Sequence, residues 1–346
     1  MTPQRSNPDT MRQDLGIMFA ALAAGPEVYQ PSKFWEQLNE QNVAQLEARG
    51  LGNFKRTLAQ NYFTWVVGVR SPLFQHLAAA MTASDWRRVM WGLPMFSRES
   101  DLGLRRFYEN QIFTRMVWIV AERVDRLNVM KSLQEPAFGN PFRIFFEGRL
   151  ISQDLANSVI EMYAILEAHM PAPNDAFTVC EIGAGYGRNC FVFRSFFKHC
   201  KYIIADIPPA LYVSQAYISE VLPDAKVMQF REFSDFSEIA ADFAEADVVF
   251  LLPHQAALLP KKSVNYFVNI SSFHEMNFAQ VAHYFDMVDE LTSGNFYLKQ
   301  WTSFFNARDK MTISASDYKY KNSWHRIYDR TPSTHPSFFE ALFKIN

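Results

Sequence analysis

Cysteine is nearly missing from this 346-residue chain: there are three, Cys180, Cys190 and Cys200, spaced ten residues apart. An odd count with no C-x-x-C pair excludes a disulfide framework, and leaves buried thiols in a reducing, cytoplasmic compartment as the expectation. An excess of positive charge is also missing, since 34 Lys and Arg face 36 Asp and Glu for a formal charge of −2. Proteins that track phosphate backbones carry a basic field, so no nucleic-acid partner is expected. No apolar run reaches the length of a membrane span. The stretch "LGIMFAALAAG" (15–25) resembles a signal-peptide core, but its leader carries Asp9 and Asp14 instead of basic residues. It therefore reads as an amphipathic helix over residues 11–24. There is no H-E-x-x-H, no cysteine cluster and no paired-Asp motif, so no metal site is expected.

What the chain does have is aromatic residues, 15% of the total, enough to build a large core and still line a pocket. Residues 1–150 read as mostly helical. In 31–54, Ser32 is a candidate N-cap, Phe34, Leu38 and Leu46 give the apolar face, and Gly50 and Gly52 the stop. Helical periodicity continues over 53–69 and 103–127. A Pro/Gly-punctuated connector (135–149) leads to a helix capped at Ser152 and running to about His169.

After "PAPND" the rhythm changes. "FTVCEI", "KYIIADI", "KVMQF", "DVVFLL", "VNYFVNI" and "NFYLKQW" are apolar runs alternating with helical segments, the pattern of a parallel sheet covered on both faces. Which of "KVMQF" and "DVVFLL" is the third core strand is left open. "HRIYDRT" and "FFEALFKI" read as a closing strand pair.

The first of these strands runs into "EIGAGYGR". A strand, a glycine turn and a helix aim backbone N–H groups and a helix N-terminus at one ligand. In the dinucleotide fingerprint G-x-G-x-x-G the third glycine permits close helix–strand packing. Counted from Gly183, that position is Arg188, and the spacing is instead E-x-G-x-G-x-G from Glu181 to Gly187. Asp206 ends the next strand, where a carboxylate can accept from ribose hydroxyls.

The tighter glycine pattern resembles motif I of the S-adenosylmethionine-dependent class I methyltransferases. Further stretches resemble the sugar O-methyltransferases of bacterial polysaccharide and natural-product gene clusters: "PSKFW" (31–35), "GNFKRTLAQNYFTW" (52–65), "GNPFRIFFEGRLISQDLANS" (139–158), "EIGAGYGRNCFVF" (181–193), "YIIADIPPALYVSQAY" (202–217), "FLLPHQ" (250–255) and "NISSFHEMN" (269–277). One departure is Asn265, where these enzymes often carry an Asp that helps order the cofactor loop. The resemblance implies a Rossmann-like α/β fold, a mostly parallel seven-stranded sheet with helices on both faces, over 151–346. Residues 1–150 would then be a lid and substrate wall, or a homodimer surface.

It also implies the cofactor, S-adenosylmethionine, and its contacts: Glu181, Gly183, Ala184, Gly185, Tyr186, Gly187, Asp206, Ile207, His254, Gln255 and Asn269. Arg188 is open between a salt bridge and a ligand contact. If "KVMQF" were the third core strand, Glu232 or Asp235 would replace His254 and Gln255 near the adenine. Methyl transfer to a hydroxyl needs alignment and a base. The fourth core strand delivers "SSFHEMN" to the carboxyl rim, which makes His274 the expected base and Glu275 its orienter, a substrate ligand or an alternative base. Trp324, His325 and Arg326, in a run mixing aromatics and cations, are candidates for the acceptor, a small molecule or glycan. The alternative readings are an NAD(P)-dependent oxidoreductase and a non-catalytic cofactor-binding subunit.

Overall fold

The computed structural model describes residues 8–57, 66–93 and 102–346. The helical reading of 53–69, and part of the 52–65 resemblance, falls on 58–65, which lie outside the described residues.

The first helix, α1 (Pro8–Ala24), buries Met11, Leu15, Met18 and Leu22, one stripe at helical spacing. Helix α2 (Lys33–Arg49) starts after Ser32 as expected, although the Ser32 hydroxyl makes no capping bond, and ends at Gly50 with φ 73°. Helix α3 (Leu104–Val124) is buried along most of its length. Helix α4 (Gln153–Ile165) is capped by Ser152, whose hydroxyl accepts from Leu155 N, and stops short of His169. The connector read at 135–149 contains a small hairpin, Ile144–Phe146 against Arg149–Ile151.

Eight strands form the main sheet: β1 (Phe177–Ile182), β2 (Cys200–Ala205), β3 (Val227–Met228), β4 (Val248–Leu251), β5 (Val264–Ile270), β6 (Thr292–Trp301), β7 (His325–Arg330) and β8 (Phe338–Lys344). Their spatial order is β7-β8-β6-β5-β1-β2-β4-β3. All neighbours are parallel except β8, which runs against both β6 and β7. The expectation of seven strands is thus corrected to a mixed sheet of eight, the addition being the two-residue edge strand β3. "DVVFLL" supplies the strand beside β2, so "KVMQF" is that edge and not the third core strand. The closing pair forms as read. A second hairpin, Ser303–Asn306 with Met311–Ser314, was not expected from the sequence.

Helices α5 (Arg188–Phe196), α6 (Ala210–Val221) and α7 (Phe278–Leu291) complete the layers. Strand alternation sorts the core. Val179, Tyr202, Ile204 and Phe250 face α4, α5 and α6, while Cys180, Ile182, Ile203 and Phe267 face α7. The first of these clusters continues unbroken into α1 and α3. Burying one such Phe stabilises by about 1.5–3 kcal/mol. All three cysteines are buried and free, and burial pushes their thiols up. No described helix is long and apolar enough to cross a membrane.

Candidate active site

The chain order reverses between β1 and β5: β1, β2 and β4 progress to one side, β5 and β6 to the other. A crevice opens there beyond the strands' carboxyl ends, the ligand site of open α/β sheets. A cavity of about 370 Å3 occupies it. Of the sequence candidates, Glu181, Gly183, Ala184, Gly185, Asp206, Ile207, His274 and Glu275 line it.

The glycines act by close approach. A Cβ on Gly183, at φ +73°, would meet Ser272 Oγ at 2.4 Å, so only glycine lets the β1 exit lie against the β5 exit. A Cβ on Gly187 would press on Ile204 of β2 and Ile218 of α6 at 3.0 and 3.2 Å. Gly187 therefore performs the helix–strand packing that the dinucleotide fingerprint assigns one position later.

Three carboxylates face the cavity near this loop. Glu181 accepts from Tyr202 Oη at 2.7 Å and Asn189 Nδ2 at 2.9 Å, yet burial pushes its pKa up to about 7. Asp206 accepts from the backbone N–H of Gly185 (2.8 Å) and Ile207 (2.7 Å), and burial likewise lifts it to about 7. Glu275 rises to about 8 through burial, although Trp35 Nε1 donates to its Oε2 at 2.8 Å. Each oxygen retains lone pairs for a ligand.

His274 is 2% exposed, and burial lowers its pKa to about 4. Its Nδ1 lies 2.9 Å from Gln300 Oε1, and its Nε2 lies 3.6 Å from Glu275 Oε1. The ring of Phe304, from the unexpected hairpin, packs edge-on against the imidazole at 4.5 Å. The neutral imidazole is thus held by one nitrogen, with the other beside a carboxyl group.

An N-terminal strap covers this end. Trp35 reaches Glu275, Tyr29 Oη is 2.7 Å from His283 Nε2, and Gln280 Nε2 donates to the carbonyls of Val28 (3.2 Å) and Gln30 (2.8 Å). Gln280 is in turn fixed by a capping box with Asn277 that opens α7.

Several expectations are corrected. Tyr186 does not line the cavity but packs tilted against Phe54 and edge-on against Tyr217, its hydroxyl 3.3 Å from Asp154 Oδ2. Asn269 is fully buried, its amide spent on Ile182 O, Ser272 Oγ and Gln300 Nε2, so it braces the loop instead of touching a ligand. His254 and Gln255 do not line the cavity. Gln255 bonds Leu252 N and Arg231 O, and His254 packs against Gly25 and Tyr29. Trp324 is a core residue, donating to Asp289 Oδ1 at 2.7 Å among Phe285, Phe296 and Phe343. His325 and Arg326 are exposed on β7, the edge strand, and Arg326 pairs with Asp329. Asn265 begins β5, at the end opposite the glycine loop, and accepts from Thr178 N at 2.8 Å. Its exchange for Asp therefore does not touch that loop.

Arg188 resolves as an ion pair in the cavity wall: its Nη1 lies 2.5 Å from Glu161 Oε2, and Lys299 Nζ lies 2.8 Å from Glu161 Oε1. The two cations hold the buried Glu161 down at about 2 against the desolvation that opposes them. Sequence reading missed Glu161, Lys299, Gln300 and Trp35. A signal existed for two of them: Glu161 is a lone carboxylate in an otherwise apolar turn of α4, and Lys299 interrupts a strand buried on both faces. Among the described residues no group of three or more metal-ligating side chains occurs.

No family model matches the chain, and no curated protein matches it in sequence. Similar solved structures include an S-adenosylmethionine-dependent methyltransferase from Aquifex aeolicus, 10% identical over 65% of this chain and 98% of that one, TM-score 0.37. Magnesium protoporphyrin IX methyltransferase from Synechocystis is 12% identical over 76% and 90%, TM-score 0.37. Geranyl diphosphate C-methyltransferase from Streptomyces coelicolor is 10% identical over 53% and 77%, TM-score 0.36. Likenesses this distant decide neither cofactor nor reaction.

Proposed function

We propose that this protein is an S-adenosylmethionine-dependent O-methyltransferase acting on a hydroxyl of a sugar-like acceptor. The observation that carries the reading is the sign of the cofactor end: the glycine loop is ringed by the carboxyl groups of Glu181, Asp206 and Glu275. A cofactor bearing an ammonium and a sulfonium draws these carboxyls, raised to about 7 to 8 by burial, into their ionised form and gains counter-ions, whereas a pyrophosphate meets like charge wherever they ionise. The residues fit such a group. Asp206 would hold the ribose hydroxyls, Glu181 the amino-acid end, and Gly183 and Gly185 allow close approach without side chains. When bound, S-adenosylmethionine supplies an electrophilic methyl group at this end of the cavity.

The chain's own residues handle the proton. His274 Nε2, bare of a proton, takes the acceptor's hydroxyl proton; the Glu275 carboxylate beside it stabilises the imidazolium so formed once pH exceeds its raised pKa of about 8, so turnover rises through that range. The low pKa of His274 keeps it in the accepting form at neutral pH. Trp35, bonded to Glu275, would help cover this end against water. The walls away from the loop pair aromatic faces (Trp301, Phe304, Phe338) with polar groups (Asn157, Thr334), a composition suited to a polyhydroxylated ring. Residues of the 1–150 region, including Leu73, Phe113 and Val117, complete these walls.

The test is calorimetric titration with S-adenosylhomocysteine and with NAD. Binding of the first and not the second is expected; the reverse result overturns the reading and favours the oxidoreductase. Incubation with labelled S-adenosylmethionine and glycan extracts then identifies the acceptor.

A further inference from the structure

The wall of the cavity built by α4, the start of α5 and the end of β6 holds more hydrogen-bond donors than the protein uses. Every hydrogen bond that Arg188 makes among the described residues runs through Nη1: to Ser158 Oγ at 2.8 Å, Glu161 Oε2 at 2.5 Å and Asn189 Oδ1 at 3.5 Å. Its side chain is 20% exposed and lines the cavity. The Nε–Nη2 edge, the fork that grips carboxylate and phosphate two-pronged, is therefore unspent. Lys299 Nζ bonds Glu161 Oε1 at 2.8 Å and no other oxygen among the described residues, which leaves two of its three N–H groups. Its side chain is 7% exposed, and it too lines the cavity.

One carboxylate thus takes hydrogen bonds from two cations, the buried Lys299 and the half-buried Arg188. The other charged or titratable groups on this wall do not remove the surplus. Asp154, whose Oδ2 lies 3.3 Å from Tyr186 Oη, and Glu181 also act on Arg188 through space, but neither bonds its Nε–Nη2 edge, so what this wall holds in surplus is donors and not net charge. His335 is kept neutral by burial and by the nearby Lys299, its pKa down at about 3. The position is set by strand alternation: Lys299 and Gln300 are consecutive on β6 and point to opposite faces. Gln300 holds the imidazole of His274, and Lys299 stands across the rim on the α4 side.

We propose that Arg188 and Lys299 seat an anionic group of the acceptor, a carboxylate or a phosphate, so that the substrate class is an acidic sugar and not a neutral one. The guanidinium edge takes two oxygens side by side and the ammonium a third contact. Phe338, which packs on Trp301 and His335 with its ring 5.9 Å from Lys299 Nζ, belongs to the apolar wall beside this seat. Held at that end, the acceptor presents its hydroxyl across the rim to His274. This rests on the methyl-transfer reading above, and the two fail separately.

The test loads the protein with S-adenosylhomocysteine and titrates it by calorimetry with D-glucuronate, glucose 6-phosphate and D-glucose. At least one anion should bind about tenfold more tightly than glucose, and the better of the two identifies carboxylate or phosphate. Arg188→Lys, which keeps the charge and loses the fork, and Lys299→Met, which leaves Glu161 paired with Arg188, should each remove most of that preference. Affinity for S-adenosylhomocysteine should stay within about twofold in both, which also verifies that each variant is folded. Glucose binding as well as the anions, neither anion binding, or a preference that survives in both folded variants would overturn the inference. If a variant loses the cofactor analogue, the wild-type comparison still decides. Failure of the wild type to bind S-adenosylhomocysteine sinks the methyltransferase reading instead.

Discussion

Gln300 Oε1 lies 2.9 Å from His274 Nδ1, and the direction of that bond is set two amides away. The carbonyl of Ile182, at the end of β1, can only accept, so Asn269 Nδ2 donates to it at 2.8 Å. Asn269 Oδ1 must then accept from Gln300 Nε2, at 2.6 Å, which turns Gln300 Oε1 toward the histidine. The backbone N–H of His274 donates to the same oxygen at 3.3 Å. His274 is therefore protonated on Nδ1 and bare on Nε2, the tautomer a general base needs. Gln300→Leu removes the constraint. In nitrogen-15 spectra His274 should shift toward the Nε2–H tautomer, and methyl transfer should fall about tenfold or more, against about 10²–10⁴-fold for His274→Ala. An unchanged tautomer in Gln300→Leu would break the relay.

The three cavity carboxyls give a pH signature. Their folded pKa values, about 7 for Glu181 and Asp206 and about 8 for Glu275, lie above the usual carboxylate range. The stabilisation that protonation gives is present below the ordinary carboxyl pKa and is lost as pH rises through about 7 to 8. His274 works in the other sense: its contribution is present above its ordinary value and is lost as pH falls through about 4. Between pH 6.5 and 8.5 the carboxyls dominate, so the melting temperature of the ligand-free protein should fall across that window. A cationic ligand opposes this by drawing the carboxyls into their ionised form. Calorimetry at pH 6.5 in buffers of different ionisation heat should show proton release on binding S-adenosylmethionine, and less for the uncharged thioether. Equal release for both would refute a counter-ion role.

Gly183→Ala tests the close approach of the β1 and β5 exits. The new methyl carbon would lie 2.4 Å from Ser272 Oγ, and φ +73° adds about 1–2 kcal/mol of backbone strain. Cofactor-analogue binding should be lost. Adding Ser272→Gly removes the clash but not the strain, so recovery should be partial; full binding in the single variant would show that the loop adapts.

The parts that came through from sequence are those set by local pattern: the β-α alternation, Ser152 as a cap, the loop from Glu181 to Gly185, and Asp206 at a strand end. Each needs only residue type and spacing. What failed depended on where a side chain turns. Tyr186 and Asn269 sit in the right loops, but aromatic packing claims one and an amide relay the other. Trp324 reads as a sugar platform by composition and is a core residue because β7 and β8 fold it under α7. Gln300 and Trp35 are linked to residues 26 and 240 positions away, beyond any local signal.

The same contrast predicts silence at the edge strand. His325→Ala and Arg326→Ala alter exposed side chains outside the cavity, so neither should change affinity for the cofactor analogue or the turnover of an identified acceptor. A turnover loss with either would restore β7 to the substrate site.

Glu161 should behave in the opposite way. It is 2% exposed and pairs with both Arg188 and Lys299. Glu161→Gln removes the carboxylate that both cations bond, most severely for the buried Lys299, and removing one member of such a network costs about 3–5 kcal/mol. Combining it with Lys299→Met should recover part of that loss, since one unpaired cation is then removed and replaced by an apolar chain of similar length. Urea unfolding of the two single variants and the double closes the cycle, and the coupling term separates the shared pairing from simple truncation. Additive losses would mean that Glu161 and Lys299 act independently. The wall opposite His274 would then be a packing surface and not a charged seat.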